Sequence, residues 1–332
     1  CDLGFDRFFG ISASLDMPPY VYVRDRTPTE PATVEKAFHR KGPAAAGFEA
    51  VDVLPTITKE AVQFIHDQAG SDDPFFLYFP LNAPHTPILP TAEWEGKSGI
   101  NKYGDFTMQV DSTVGQVLKA IDDNRIAGNT LLIFTTDNGC SPAANISELE
   151  AAGHDQNYIY RGHKADIFEG GHRVPFVVRW PGKVRPGLRQ QLASSIDIAP
   201  TVLRACGLEP PAEMEGIDLV DQSSNRGPLR THLLGESYAH DIADLADPEK
   251  TLLYRWCIEE NWKLLVTYDG TIGRYKAVHP QTTSSHLLFD LVADPHERED
   301  LSAQHPDVVK RLQQQLDTSW QLKTALPRQV KK

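Results

Sequence analysis

Cysteine is scarce and dispersed. Cys1, Cys140, Cys206 and Cys257 form no Cys-x-x-Cys pair, so they offer neither zinc-site spacing nor a disulfide framework, and the redox compartment stays open. Long apolar runs are missing as well: no stretch approaches the roughly 20 residues that a bilayer span requires. Positive charge is in deficit, with 33 Lys and Arg against 45 Asp and Glu and a net charge of -12. That balance argues against a nonspecific nucleic-acid binder, which carries a basic face. It leaves room for anionic small substrates, because a few cations in a cleft dominate the field there. Neither an internal repeat nor a low-complexity tract is present.

What is there is ordinary globular material: 332 residues, 40% hydrophobic and 23% charged. One large domain with a small one is the expectation from length. The organising stretch is Thr130-Leu-Leu-Ile-Phe-Thr-Thr-Asp137-Asn138-Gly139. Its apolar run, Leu131 to Phe134, reads as a strand buried on both faces, of the parallel-sheet kind. In open α/β sheets ligands sit outside the carboxyl ends of the strands, which is where Asp137 and Asn138 fall. A carboxylate beside an amide carbonyl suits a hard cation such as calcium or magnesium. An Asx turn is the competing reading, since Asp-Asn-Gly is also turn chemistry.

Residues 1 to 55, rich in Pro, Gly and aromatics, read as mostly loop, with Asp16-Met-Pro-Pro-Tyr20 a rigid extended piece. Thr56 or Thr58 is placed to cap a helix carrying Ile57, Ala61, Phe64 and Ile65. Pro74-Phe-Phe-Leu-Tyr-Phe79 reads as a second buried strand, followed by the Pro-stiffened loop around His85. Val110, Val114, Val117, Leu118 and Ile121 give the core stripe of a helix over about 105–123. Residues 139 to 160 lack periodicity and read as a long loop. Phe176-Val-Val-Arg-Trp180 is a third strand, and Asp197 and Pro200 open a helix closed near Gly207, which makes Asp197 structural.

Ser223-Ser-Asn-Arg-Gly-Pro228 reads as a linker. Beyond it the strands around Thr251–Cys257, Trp262–Thr267 and His286–Asp290 follow one another without helices, the pattern of a small antiparallel sheet. Pro306 starts an amphipathic helix with Val309, Leu312, Leu316 and Trp320 on one face. The expected fold is therefore α/β: a mostly parallel sheet covered by helices over residues 1–225, and a smaller antiparallel sheet plus helix over 226–332.

Several side chains suit anion chemistry. Lys164, in a loop with Gly162, His163, Gly170-Gly171 and Pro175, is a compact point charge for an anionic oxygen, or else a solvated surface lysine. His85, its backbone fixed between Pro84 and Pro87, suits proton donation near neutral pH, or is a hydrogen-bonded loop histidine. His163, His172, Arg161 and Arg173 are further anion contacts, although Arg173 is better read as bracing the loop through Glu169. His154 and Asp155 are weaker pocket candidates, and Cys140 is assigned no catalytic role.

These segments, in this order, carry a resemblance. Leu3-Gly-Phe-Asp-Arg-Phe-Phe-Gly10, Asn82-Ala-Pro-His85-Thr-Pro87, Thr135-Thr-Asp137-Asn138-Gly139, Gly162-His-Lys164 with Glu169-Gly-Gly-His-Arg-Val-Pro175, Ser195-Ile-Asp-Ile-Ala-Pro-Thr201 and Leu288-Phe-Asp-Leu-Val-Ala-Asp-Pro295 match blocks of one family almost end to end. The chain resembles the type I sulfatases, arylsulfatase A-like members of the alkaline phosphatase superfamily. The resemblance implies hydrolysis of sulfate esters, of sulfated saccharides in particular. It implies a formylglycine nucleophile made from the cysteine of a Cys-x-Pro-Ser-Arg motif, and an exported or lysosomal location. Asp137 and Asn138 would ligate the cation, usually calcium, with magnesium the variant. Lys164 would hold a sulfate oxygen, and His85 would contact the sulfate or protonate the leaving oxygen. His163 and His172, by their place in the Lys164 loop, are further substrate-contact candidates.

The departure is that no Cys-x-Pro-Ser-Arg occurs in the chain, nor the family's first Asp-Asp metal pair. The expectation is of an alkaline phosphatase-like fold truncated at its N-terminus, inactive as it stands, with His85, Asp137-Asn138 and Lys164 meeting in one pocket. A phosphodiester or phosphonate monoester hydrolase of the same superfamily, and a non-catalytic glycan-binding pseudo-sulfatase, are the alternatives.

Overall fold

In a computed structural model of the chain, the described residues are 4–220, 230–239, 245–268 and 284–323. Two compact units divide it: residues 1–130 with 141–156, and residues 131–140 with 157–332. The linker expected at 223–228, with the domain boundary near 225, lies outside the described residues.

In the first unit the N-terminal stretch is not mostly loop. Strands β1 (Phe9–Ile11), β2 (Tyr22–Arg24) and β3 (Thr27–Pro28) form one antiparallel sheet, and β4 (Val34–Ala37) pairs with β5 (Lys41–Ala44) in another. Strands of two to four residues are too short for a period-two pattern to register in sequence. Asp16-Met-Pro-Pro is a turn rather than an extended piece: Met17 N donates to Ser14 O at 3.0 Å, and the Pro18–Pro19 bond is cis. Tyr20, Phe48, Leu54 and Phe106 anchor the core, with Tyr20 and Phe38 edge to face at 5.0 Å.

Helix α1 (Val53–Gln68) starts ahead of the expected threonine caps. Thr58 is interior instead, its hydroxyl donating to Leu54 O at 2.7 Å and lying 3.1 Å from the Thr113 hydroxyl of α2 (Lys102–Asp123). Asn101 caps α2, its side chain accepting from the amides of Tyr103 and Gly104. The deepest line of α2 is Phe106, Gln109, Thr113, Ala120 and Ile121, while Val110, Val114, Val117 and Leu118 are half-buried. Polar side chains occupy that line because they are bonded, Gln109 Oε1 accepting from Thr91 N at 3.0 Å.

The segment 139–160, expected as loop, contains the short helix α3 (Ile146–Ala151), whose single turn and a half shows no periodicity. No ladder forms at residues 74–79, so the second expected strand is absent. Exposure alternates, with Phe76 at 58% and Tyr78 at 66%, while Phe75 packs against Phe64 of α1 at 5.5 Å. One face packs and the other meets solvent.

In the second unit β6 (Leu132–Thr135) pairs antiparallel with β7 (Phe176–Arg179), from Leu132↔Arg179 to Thr135↔Phe176. The expectation of a mostly parallel sheet is overturned. Among the described residues every strand ladder is antiparallel, and the parallel contact is an isolated bridge between Tyr20 and Ala44. A parallel pair needs a crossover, usually a full helix, whereas 136–175 carries short pieces: a 3-10 turn at Pro142–Ala144, α3 and the one-turn α4 (Glu169–His172). An apolar run encodes burial, not strand direction, and β6 is in fact half-buried rather than buried on both faces.

Helix α5 (Ile198–Ala205) follows a capping box between Ser194 and Asp197 and ends at Gly207, whose φ is +74°. Asp197 is structural as expected: fully buried, it takes a bidentate pair from Arg230 at 2.8 and 2.6 Å.

The expected antiparallel sheet is present, with a fourth strand. β8 (His232–Tyr238), β9 (Leu252–Glu259), β10 (Trp262–Thr267) and β11 (His286–Asp290) lie in the order β11-β10-β9-β8. Successive side chains point to opposite faces. Leu264, Val266 and Leu288 therefore pack on Leu312 and Leu316 of α6 (Pro306–Ser319). Leu265 and Phe289 meet Ile167 and Phe168 on the other face. This second layer fixes the loop that carries Lys164.

Candidate anion and cation site

The site is assembled main chain against main chain. At the end of β6, Gly139 N donates to Gly171 O at 2.9 Å, and Lys164 N donates to Cys140 O at 2.9 Å. Asn157 bridges the same two segments, accepting from Cys140 N at 2.9 Å and donating to Gly162 O at 2.8 Å. The Asp137-Asn138 turn and the Lys164 loop are thus held as one body. The glycines allow this approach: a Cβ on Gly139 would overlap the Gly170 carbonyl oxygen, and one on Gly171 would overlap that of Asp166.

Asp137 is exposed, and its Oδ1 lies 3.4 Å from the Thr136 hydroxyl. Asn138, half-buried, donates from its amide nitrogen to Gly139 O at 3.0 Å. Two oxygen side chains fit calcium or magnesium in kind but not in number, since calcium takes about six to eight oxygens. Among the described residues no cluster of three or more His, Cys, Asp or Glu side chains is placed to hold a metal ion.

Lys164 is half-buried, and its neighbour His163 directs Nδ1 to Lys164 O at 3.1 Å. His85 is exposed in the other compact unit, between cis Ala83–Pro84 and Thr86–Pro87 bonds, with Nδ1 2.8 Å from Thr86 O. Burial pushes Asp16 up, but the Ser14 hydroxyl and the charge of His85 overrule it and hold its carboxyl below the usual range. His154 and Asp155 are exposed, and Cys140 is buried without a site role.

His172, expected as a substrate contact, has its ring nitrogen and ring face engaged within the chain. Its ring stacks on Trp256 at 4.8 Å, with Nε2 3.1 Å from Ile167 O and 3.3 Å from Lys263 Nζ. Burial and then the Lys263 charge push it down to about 4, so it is neutral at physiological pH and serves the inner side of the loop. Arg161 is also used inward, donating to Glu297 O at 2.8 Å and lying 3.6 Å from the Phe168 ring centre. Arg173 braces as expected, 3.3 Å from Glu169.

Sequence reasoning missed the group that holds this loop. Lys263, on β10 and fully buried, lies 2.8 Å from Glu169 Oε1 and 2.9 Å from Glu297 Oε1, and donates to Ile167 O at 2.9 Å. Glu297 Oε2 accepts from Glu169 N at 2.6 Å. Burial raises both acids, but the Lys263 charge overrules it for Glu169, whose carboxyl falls below its usual range, whereas Glu297 stays above its own. The available signal was parity: Lys263 shares a face with Leu265 in a strand whose two faces are both covered.

The sulfatase family model matches residues 1–208. The chain belongs to the sulfatase family. A second family model, N-sulphoglucosamine sulphohydrolase, C-terminal, matches residues 162–322. An N-acetylgalactosamine-6-O-sulfatase of Bacteroides thetaiotaomicron is 31% identical over 95% of this chain and 68% of its own length. An N-acetylgalactosamine-6-sulfatase of Sus scrofa is 33% identical over 65% of this chain and 41% of its own. The chain therefore spans about two-thirds of the bacterial relative and well under half of the mammalian one. Among solved structures, one from glycosaminoglycan metabolism by Bacteroides thetaiotaomicron superposes with a TM-score of 0.78 at 26% identity, covering 95% of this chain and 72% of the other. A protein solved with its substrate D-glucosamine-2-N,6-O-disulfate shares the fold, at 16% identity and a TM-score of 0.61, over 95% of this chain and 76% of that one.

Proposed function

We propose that this chain forms the sulfate-holding part of a sulfuric ester hydrolase acting on sulfated saccharides. The observation that carries the reading is the 2.9 Å bond from Lys164 N to Cys140 O, which sets a lysine loop directly against the Asp137-Asn138 turn. Lys164 contributes a point charge for one sulfate oxygen, and His163 lies beside it. Asp137 and Asn138 would supply two oxygens to a calcium or magnesium ion, whose charge offsets that of the bound anion. His85, a histidine on a Pro-fixed loop, is assigned the leaving-group proton. The names of the relatives, two of them N-acetylgalactosamine-6-sulfatases, support a saccharide substrate. The family's formylglycine is assigned as the nucleophile, and no residue of this chain stands in its motif.

The test is calorimetric binding of N-acetylgalactosamine 6-sulfate, with and without calcium, against a phosphate diester of matched size. The reading expects the sulfate ester to bind the better of the two. It further expects Lys164→Met to weaken that binding about tenfold, a loss of roughly 1.4 kcal/mol. Preference for the diester would favour a phosphodiester hydrolase of the same superfamily. Indifference of binding to Lys164→Met would remove Lys164 from the site.

A further inference from the structure

Tyr158 is 69% exposed and holds φ at +57°, a left-handed conformation that bulky side chains rarely adopt. Such strain persists only where the surroundings over-determine it, and it gathers at ligand sites. The surroundings here do so. Asn157, immediately before Tyr158, bonds both Cys140 N and Gly162 O, and its own carbonyl accepts from Tyr160 N at 3.2 Å. The turn is therefore pinned on both sides while its aromatic side chain stands out in solvent. Ala165, next to Lys164, shares the left-handed conformation at +72°.

The exposed ring is not isolated. Tyr160 meets it edge to face with centroids 5.7 Å apart, and the Arg173 guanidinium lies 4.5 Å from the Tyr160 ring centre. An aromatic pair with a cation at its border, six residues from Lys164, is complementary to a ligand with one apolar face and a negative charge. Pyranose rings present such a face through their axial C–H bonds. A tyrosine offers a rigid, amphipathic surface that loses little entropy on contact. Of the acids between Tyr158 and Arg173, Asp166 accepts from Ile167 N at 2.8 Å and Glu169 pairs with Lys263; Asp155, three residues before Tyr158, is exposed.

We propose that Tyr158, flanked by Tyr160 and Arg173, is a sugar-stacking platform that receives the ring of a sulfated saccharide whose sulfate lies at Lys164. This rests on the sulfate-holding reading of the same loop and adds a specificity-determining residue to it. The platform binds sugar, not sulfate, so the two contributions separate.

The full chain is titrated calorimetrically, with calcium present, using inorganic sulfate, N-acetylgalactosamine 6-sulfate and unsulfated N-acetylgalactosamine as probes. Tyr158→Gly removes the ring and relieves the left-handed strain, so the fold is kept. Tyr158→Phe keeps the stacking face. The platform requires Tyr158→Gly to weaken the sulfated sugar at least about tenfold, with inorganic sulfate unchanged and Tyr158→Phe close to the unaltered chain. Equal losses for sulfate and sulfated sugar, or no loss for either, overturn the platform alone. If the unaltered chain binds inorganic sulfate and gains nothing from the sugar, the platform also falls while the sulfate reading stands. If it binds none of the three probes, both fall.

Discussion

Lys263 and Glu297, 34 positions apart in the chain, meet at 2.9 Å with both side chains fully buried. Glu169 shares the same ammonium at 2.8 Å, so one positive charge serves two carboxylates at the root of the loop that carries Lys164. Removing one partner from a buried ionic group leaves an uncompensated charge in a low-dielectric interior, which costs about 3–5 kcal/mol. Lys263→Met is expected to lower the unfolding free energy by that amount, as read by urea denaturation. A loss below about 1 kcal/mol would show that water reaches the triad.

The strand around Lys263 was legible in sequence while its role was not. Trp262-Lys-Leu-Leu-Val-Thr reads as a strand from its apolar content, but pairing with Glu169 and Glu297 depends on residues far away in the chain. β8 escaped for a related reason. Gly235 interrupts its apolar pattern, and only the fold shows that the glycine makes room for the Trp256 ring, which a Cβ there would strike. The order of elements and the Asp137 and Lys164 segments were readable because they are local. Strand direction, the depth of Gln109 and Thr113, and the inward turn of His172 depend on partners that no window of sequence contains.

His172 gives a pH prediction. Its folded value of about 4 lies below the ordinary histidine value of about 6.5, so the unfolded chain takes up the proton first on acidification. The stability it contributes is complete above about pH 6.5 and is lost as pH falls toward 4, at most ~3 kcal/mol. His172→Phe keeps the stack on Trp256 and removes the titration. Denaturation midpoints between pH 7 and 4 are expected to fall less in this variant than in the unaltered chain. Parallel curves would refute the assignment.

Asp197 offers a control away from the site. It accepts from Ser194 N at 2.8 Å, from Ile217 N at 2.9 Å and from both terminal nitrogens of Arg230. Asp197→Ala strips every one of these bonds and is expected to cost about 3–5 kcal/mol. Sulfate binding per folded molecule should stay unchanged, which calorimetry on the folded fraction would check.

Two glycines predict opposite outcomes. Gly115 lies on the exposed side of α2 with open space where a Cβ would go, so Gly115→Ala should stabilise by about 0.5–1 kcal/mol. Gly139→Ala places a methyl on the Gly170 carbonyl and should part the two site loops. Thermal melts compare the pair, and amide exchange at Gly139 and Lys164 reports whether the loops have separated.

Backbone meeting backbone at Gly139, Gly170 and Gly171 has a consequence for how this region changes over time. Where carbonyls and amides touch, there is no side chain left to vary, so the backbone floor admits almost no substitutions. New preferences must be written at the margin, in outward-facing positions such as Tyr158, where a residue can be exchanged without disturbing the floor beneath it.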